Sequence, residues 1–161
     1  MNTTRGVVAA VGTLIVVTAL ISGPLIPGVT LMGTQQPTYG EGNATVASVE
    51  FPERATIERG GFGSESDYLV VPPATVHFEA FDGTPVLTYK IEIPALNYSR
   101  GTTHFLSPDT GARYEATLRS DSLDGLPEQP TQFDATLSVW IEASDGRSRV
   151  AEQNTTVEVV E

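Results

Sequence analysis

The chain has 161 residues, with 20 Asp+Glu against 9 Lys+Arg and a formal net charge of −11, and it is long enough for one domain with a proper core. It has no cysteine, which excludes disulfides, Cys-ligated zinc and thiol catalysis. Nucleic acid and anionic headgroups are disfavoured as partners, because counterion release needs clustered Lys and Arg and no such patch is present.

After Arg5 comes a stretch without charge, Gly6 to Gly33, and the next charged residue is Glu41. Its first 18 residues, Gly6 to Gly23, would span about 27 Å as an α-helix, enough to cross a hydrocarbon core. Pro24 and Pro27 then interrupt regular helix, although apolar residues continue through Leu31 and Met32. A cleaved secretory signal needs small residues at fixed positions before the cut, and no clean pattern stands near Ser22 or Gly33. The stretch therefore reads as an uncut signal anchor. Arg5 and the amino terminus flank it on one side, Glu41 and Glu50 on the other. By the positive-inside rule, residues 1–5 form a cytoplasmic stub, residues 6–33 hold a single transmembrane helix in the cell membrane, and the C-terminal domain is extracellular. The junction "RGVVAAVGTLIVV" also resembles the leader of archaellins and archaeal type IV pilins. That resemblance implies cleavage between Gly6 and Val7 and a filament subunit, with Pro24 and Pro27 falling where a pilin helix continues.

Beyond the apolar stretch eight bases face 20 acids, and Lys90 is the only lysine. An acidic, lysine-poor chain rich in Ala, Gly, Val and Thr resembles proteins of salt-loving archaea. In molar salt the Debye length is about 3 Å, so the self-repulsion of such a surface is largely screened. Asn2, Asn43, Asn97 and Asn154 are all the asparagines, and each opens an Asn-x-Ser/Thr triplet. Beyond the membrane this makes Asn43, Asn97 and Asn154 candidate N-glycan acceptors, a modification made outside the cytoplasm. The same triplet also suits a turn that leads into a strand.

Residues 34–42, "TQQPTYGEG", read as a short polar tether, and residues 43–161 as the extracellular domain. From there period two replaces the helical period. One face is expected to carry Ala47, Val49 and Phe51; then Val76, Phe78 and Ala80; then Leu87, Tyr89, Ile91 and Ile93; then Tyr114, Ala116 and Leu118. "FDATLSVWIEA" alternates longest, with Phe133, Ala135, Leu137, Val139, Ile141 and Ala143 inward. Such alternation marks half-buried antiparallel strands. Asp82-Gly83 and Asp145-Gly146 are expected to be type I′ hairpin turns. Pairing outward from the second sets Ile141 opposite Val150 and Glu142 opposite Arg149. A last strand is expected from Thr156 to Val160. Breaks at Pro52, Pro72-Pro73, Pro94, Pro127 and Pro130 separate the strands. Seven or eight short strands make the fold class all-β, an antiparallel two-sheet sandwich. The strand–Asp-Gly–strand–Asn-Thr-Thr–strand ending resembles immunoglobulin-like or fibronectin-like modules. With the anchor and the "VPPATV", "IPAL" and "NTTVEVV" segments, the chain looks like short exported haloarchaeal proteins of unassigned function. That resemblance implies a location and a fold, and no activity.

Little in the sequence points to chemistry. His77-x-Glu79 with His104 is the one His and carboxylate set for zinc, without short ligand spacing. Asp109, Glu115, Asp121, Asp124 and Glu128 offer carboxylates for a glycosidase pair, but in so acidic a chain they read as solvated surface. Asp121 to Glu128, "DSLDGLPE", has oxygen ligands near a Gly turn and lacks the calcium-loop spacing. No nucleophile elbow, phosphate loop or dinucleotide fingerprint occurs. The expectation is a non-enzymatic module with no cofactor and no small-molecule substrate, its partners surface-layer or filament proteins or its own copies. Trp140 falls on the outward phase of its strand. Either the Arg149 stem or a neighbouring loop covers it, or it forms an interaction patch with Phe81.

Overall fold

The computed structural model describes residues 38–60, 66–126 and 131–160. The segment 6–33 and the candidate cut before Val7 lie outside the described residues. Among those residues there is no α-helix, and none long and apolar enough to cross a membrane.

The chain is all-β. Its strands are β1 (Glu41–Glu50), β2 (Arg54–Glu58), β3 (Asp67–Val70), β4 (Ala74–Thr84), β5 (Val86–Ile93), β6 (Tyr98–Phe105), β7 (Arg113–Ala116), β8 (Asp121–Leu123), β9 (Gln132–Ala143) and β10 (Gly146–Val160). They form a three-stranded sheet, β1-β4-β7, and a seven-stranded sheet, β6-β5-β9-β10-β2-β3-β8, in a sandwich-like arrangement. Every pairing is antiparallel except that of β2 with β10, which is parallel.

The longest alternating runs form the core. Leu87, Tyr89, Ile91 and Ile93 on β5 are fully buried, and Phe133, Ala135, Leu137, Val139, Ile141 and Ala143 on β9 are buried beside them. Ala74, Val76 and Phe78 of β4 and Ala116 of β7 join the same apolar cluster from the smaller sheet. Removing one such Leu or Ile side chain from water contributes about 1.5–3 kcal/mol. Tyr89 brings a hydroxyl into this core and donates it to the Pro72 carbonyl at 3.3 Å. Burial raises its pKa well above the ordinary phenol value.

The smaller sheet keeps phase less well. In β1 the register shifts on both sides of Val46, so Ala47 is exposed while Ala44, Val46, Val49 and Phe51 lean on the core. A β-bulge does this by giving one strand an extra residue. The face expected to carry Ala47 therefore carries Val46. The same irregularity leaves Ala80 exposed and turns Phe81 toward Phe78, ring centroids 5.6 Å apart.

Asp82-Gly83 is not a hairpin turn. β4 runs on through Thr84, with Gly83 paired to Gly42, and Pro85 alone carries the chain into the other sheet as β5. Gly83 has φ +72°, and a Cβ there would lie 2.7 Å from Gly42 Cα and 2.8 Å from the Glu41 carbonyl. The glycine thus serves a close backbone approach.

Asp145-Gly146 does lie at a β-hairpin, between β9 and β10, but Ser144 and Asp145 form the turn and Gly146 pairs with Ala143. Only Gly146 takes a positive φ there, +110°, so the turn is not type I′. The register moves by two residues: Ile141 faces Ser148, Trp140 faces Arg149 and Glu142 faces Arg147. Ser144 fixes this turn from outside, since its N–H donates to the Gly42 carbonyl and its hydroxyl accepts from the Gly42 N–H. β10 also continues without a break through Asn154, because β9 pairs with it there, and β2 joins on the other side from Thr156 onward.

The edge of β6 is sealed by side chains. His104 bonds the Thr117 carbonyl and the Tyr114 hydroxyl, while Asp121 accepts from Tyr98 at 2.8 Å and pairs with Arg100 at 2.6 Å. Such ties protect an edge that would otherwise invite another strand.

Candidate functional site

The outer face of β6-β5-β9-β10 gathers the side chains that sequence phase sends outward. Cross-strand partners share a face, so the register lays out the surface in rows. One row holds Phe105, Val86, Glu142 and Arg147, and the next Thr103, Thr88, Trp140 and Arg149. Phe105 is 59% exposed, and the ring of Tyr39, itself exposed, stands 4.4 Å from it. Trp140 is half-buried and donates its indole N–H to Ser138 Oγ at 3.1 Å. The Arg147 and Arg149 guanidinium carbons lie 5.3 and 5.6 Å from its ring centroid. Each cation–π contact stabilises by about 0.5–1 kcal/mol at such a site. Arg149 also pairs with Glu152, and Lys90 of the following row pairs with Glu92 at 2.9 Å. Two of the nine bases in an acidic chain thus stand over its single tryptophan.

Of the alternatives open for Trp140, arginine cover is present: Arg149 lies over the ring and Arg147 joins it. Phe81 is not its companion. Phe81 sits on β4 in the smaller sheet and packs on the core, so the two residues belong to different sheets. The aromatic that shares the Trp140 face is Phe105. Its sequence signal was the pair Phe105-Leu106: adjacent side chains of an extended chain point to opposite sides, and Leu106, just past the end of β6, is the buried one.

All three acceptor asparagines are exposed, in unlike settings. Asn43 lies on the edge strand β1, and its backbone N–H donates to Asp82 Oδ1 at 2.6 Å. Asn97 follows the 3-10 turn Pro94–Leu96 in the left-handed region, φ 48° and ψ 37°, with its N–H donating to the Pro94 carbonyl. Asn154 lies within β10, its Oδ1 accepting from Thr136 Oγ1 at 3.3 Å. Asn97 and Asn154 border two adjoining hollows of about 310 and 380 Å³ that share Pro94 and Thr136.

The residues weighed for chemistry are scattered. His77 lies 3.5 Å from Glu50, while His104 is held by Thr117 and Tyr114 at the β6 edge. Burial lowers the His104 pKa, partly offset by its bond to the Thr117 carbonyl. Asp121 is engaged by Tyr98 and Arg100, Asp124 accepts from Ser66, and Glu115 faces Arg113. Burial, then the bond to Asp121, raises the Tyr98 pKa far above the ordinary phenol value. Glu128 lies outside the described residues. Among the described residues no three His, Asp or Glu side chains gather to hold a metal ion.

Compared with protein-family models the chain matches none, and a search of curated proteins likewise returns no match. What the domain does is read from its surface.

Proposed function

We propose that this chain is a non-enzymatic binding or structural module, held on the outer face of the cell membrane by one transmembrane helix within residues 6–33. Its domain is immunoglobulin-like, and its partners are other envelope proteins, such as surface-layer or filament protein, or further copies of itself. The observation that carries the reading is the outer face of β6-β5-β9-β10. There an exposed Phe105–Tyr39 pair and an arginine-flanked Trp140 stand among polar and charged side chains. Trp, Tyr and Arg are the residues on which protein interfaces most often depend.

The strand order supports the immunoglobulin-like part. β1 pairs with β4 and β4 with β7 in one sheet, while β5, β9 and β10 adjoin in the other. The chain crosses from β1 to place β2 parallel to the last strand. This is the partition of strands A, B and E against C, F and G in such sandwiches. The exposure of all three acceptor asparagines supports the external placement.

The test uses the full chain in native membranes, cross-linked and recovered with whatever it holds. Trp140→Ala with Phe105→Ser should lower recovery of the cross-linked product at least ~10-fold at unchanged expression. Undiminished recovery would remove the face from the account. Filament subunits are the second reading, favoured by the Arg5-Gly6-Val7 junction. Sequencing the mature amino terminus separates the two, since a start at Val7 contradicts an uncut anchor.

A further inference from the structure

We infer that Asn97 and Asn154 are acceptors of different kinds: Asn97 takes its glycan in the folded domain, and Asn154 only before β9, β10 and β2 come together. The inference rests on the external placement of the domain, where N-glycan donors are used. In the transfer, the Asn carboxamide nitrogen bonds to the anomeric carbon of an oligosaccharide carried on a lipid phosphate. The carbon–oxygen bond to that phosphate breaks, the lipid phosphate leaves, and the amide nitrogen gives up one proton. The transferring enzyme must hold the whole Asn-x-Ser/Thr triplet as a free strand of backbone, hydroxyl included.

Asn97-Tyr98-Ser99 comes near to meeting that demand as folded. Asn97 and Ser99 are exposed, and the triplet joins a one-turn 3-10 segment to the first residues of β6, a strand paired only with β5. Among the described residues the Asn97 bond is that of its backbone N–H to the Pro94 carbonyl, and its carboxamide is not engaged. Freeing the triplet means opening the Pro94–Asn97 hydrogen bond, the first β6 pairs and the Tyr98–Asp121 hydrogen bond, a local opening at an edge strand that leaves the core sheets paired and so lies below global unfolding on the opening scale.

Asn154-Thr155-Thr156 is held from both sides. Across β9, Asn154 faces Thr136, Thr155 faces Ala135 and Thr156 faces Asp134, and Thr156 also faces Arg54 of β2. The middle residue is buried, with Thr155 Oγ1 donating to the Glu53 carbonyl at 2.9 Å. Presenting this triplet means breaking two ladders and uncovering Val157, which is fully buried. That approaches global unfolding, so transfer to the folded chain should be slower at Asn154 than at Asn97 by at least ~100-fold. A glycan already placed at Asn154 is compatible with the final fold, because its carboxamide ends at the surface beside the Thr136 hollow.

The experiment takes the full chain, made without glycans and kept folded in mild detergent. It is mixed with an oligosaccharyltransferase and a lipid-phosphate-linked oligosaccharide, and mass spectrometry follows each site. A Val157→Asp chain, whose buried charge opens β10, is run alongside. Of these two sites, the folded chain is expected to carry glycan on Asn97 and not on Asn154, and Val157→Asp on both, whatever is found at Asn43. Comparable labelling of Asn154 in the folded chain, or labelling of Asn97 only in the opened one, would overturn the distinction. No labelling of either chain would show that these triplets are not acceptors, leaving the location to be judged by the mature amino terminus.

Discussion

β5 and β9 of the larger sheet alternate from end to end, whereas β1 and β4 of the smaller sheet lose phase before they finish. Both sheets cover the same core. β5 is flanked by β6 and β9, and β9 by β5 and β10, so a slip of one residue would send every apolar side chain out of the core. β1 has a neighbour only in β4, and its first residues are tied to the β9–β10 turn through Gly42 and Ser144. A strand that answers to two sheets must bend, and it bends with a bulge and a pair of facing glycines. Strands paired on both sides hold the strict pattern, and strands at a crossing trade it for curvature.

The largest effect expected from this contrast is at Leu137. Leu137→Ala should destabilise the domain by about 3–4 kcal/mol in urea unfolding, because its fully buried site leaves a cavity. Val46→Ala, on the bulged strand and only partly buried, should cost about 1 kcal/mol. Equal costs at the two positions would break the contrast. Gly83→Ala comes next, at about 2–3 kcal/mol, since it adds a Cβ against the Gly42 backbone at φ +72°. Gly111→Ala, with nothing within 4 Å of its Cβ position, is the control and should stay within about 0.5 kcal/mol of the parent.

Asn97→Ala, in chain lacking glycan, should cost about 1 kcal/mol for its left-handed backbone, and Asn97→Gly should cost close to nothing. The smallest effect belongs to His104. Burial lowers its pKa, so below 6.5 the folded chain binds fewer protons than the unfolded one. Stability from this group is complete above pH 6.5 and declines as the pH falls through that value toward the folded pKa. The urea midpoint of the parent should drop between pH 7 and pH 5 by more than that of His104→Gln.

The same contrast explains what could be read from the sequence. The inward residues of β5 and β9 were legible because both strands are central and continuous. β6 was not, because its inward phase carries Arg100, Thr102 and His104 and its one Phe lies outward, so the strand shows no apolar alternation. Trp140 was legible as an outward residue. Its companion was not, since an Asp82-Gly83 hairpin would put β4 and β5 in one sheet. One residue, Pro85, sends them to different sheets. Asp145-Gly146 marked the hairpin correctly, but contacts from Gly42, a hundred residues away in the chain, decided which pair forms the turn. The Phe105 exposure followed from Leu106 being buried, and that choice between neighbours belongs to packing.

The outer face of β6-β5-β9-β10 carries the proposed binding role. A photo-cross-linking residue placed at Thr88, between Phe105 and Trp140, should capture a protein in intact cells. The same residue at exposed Glu79 on β4 should not. Capture from Thr88 alone is the result the account predicts. Capture from Glu79 alone, or equal capture from both, would contradict it.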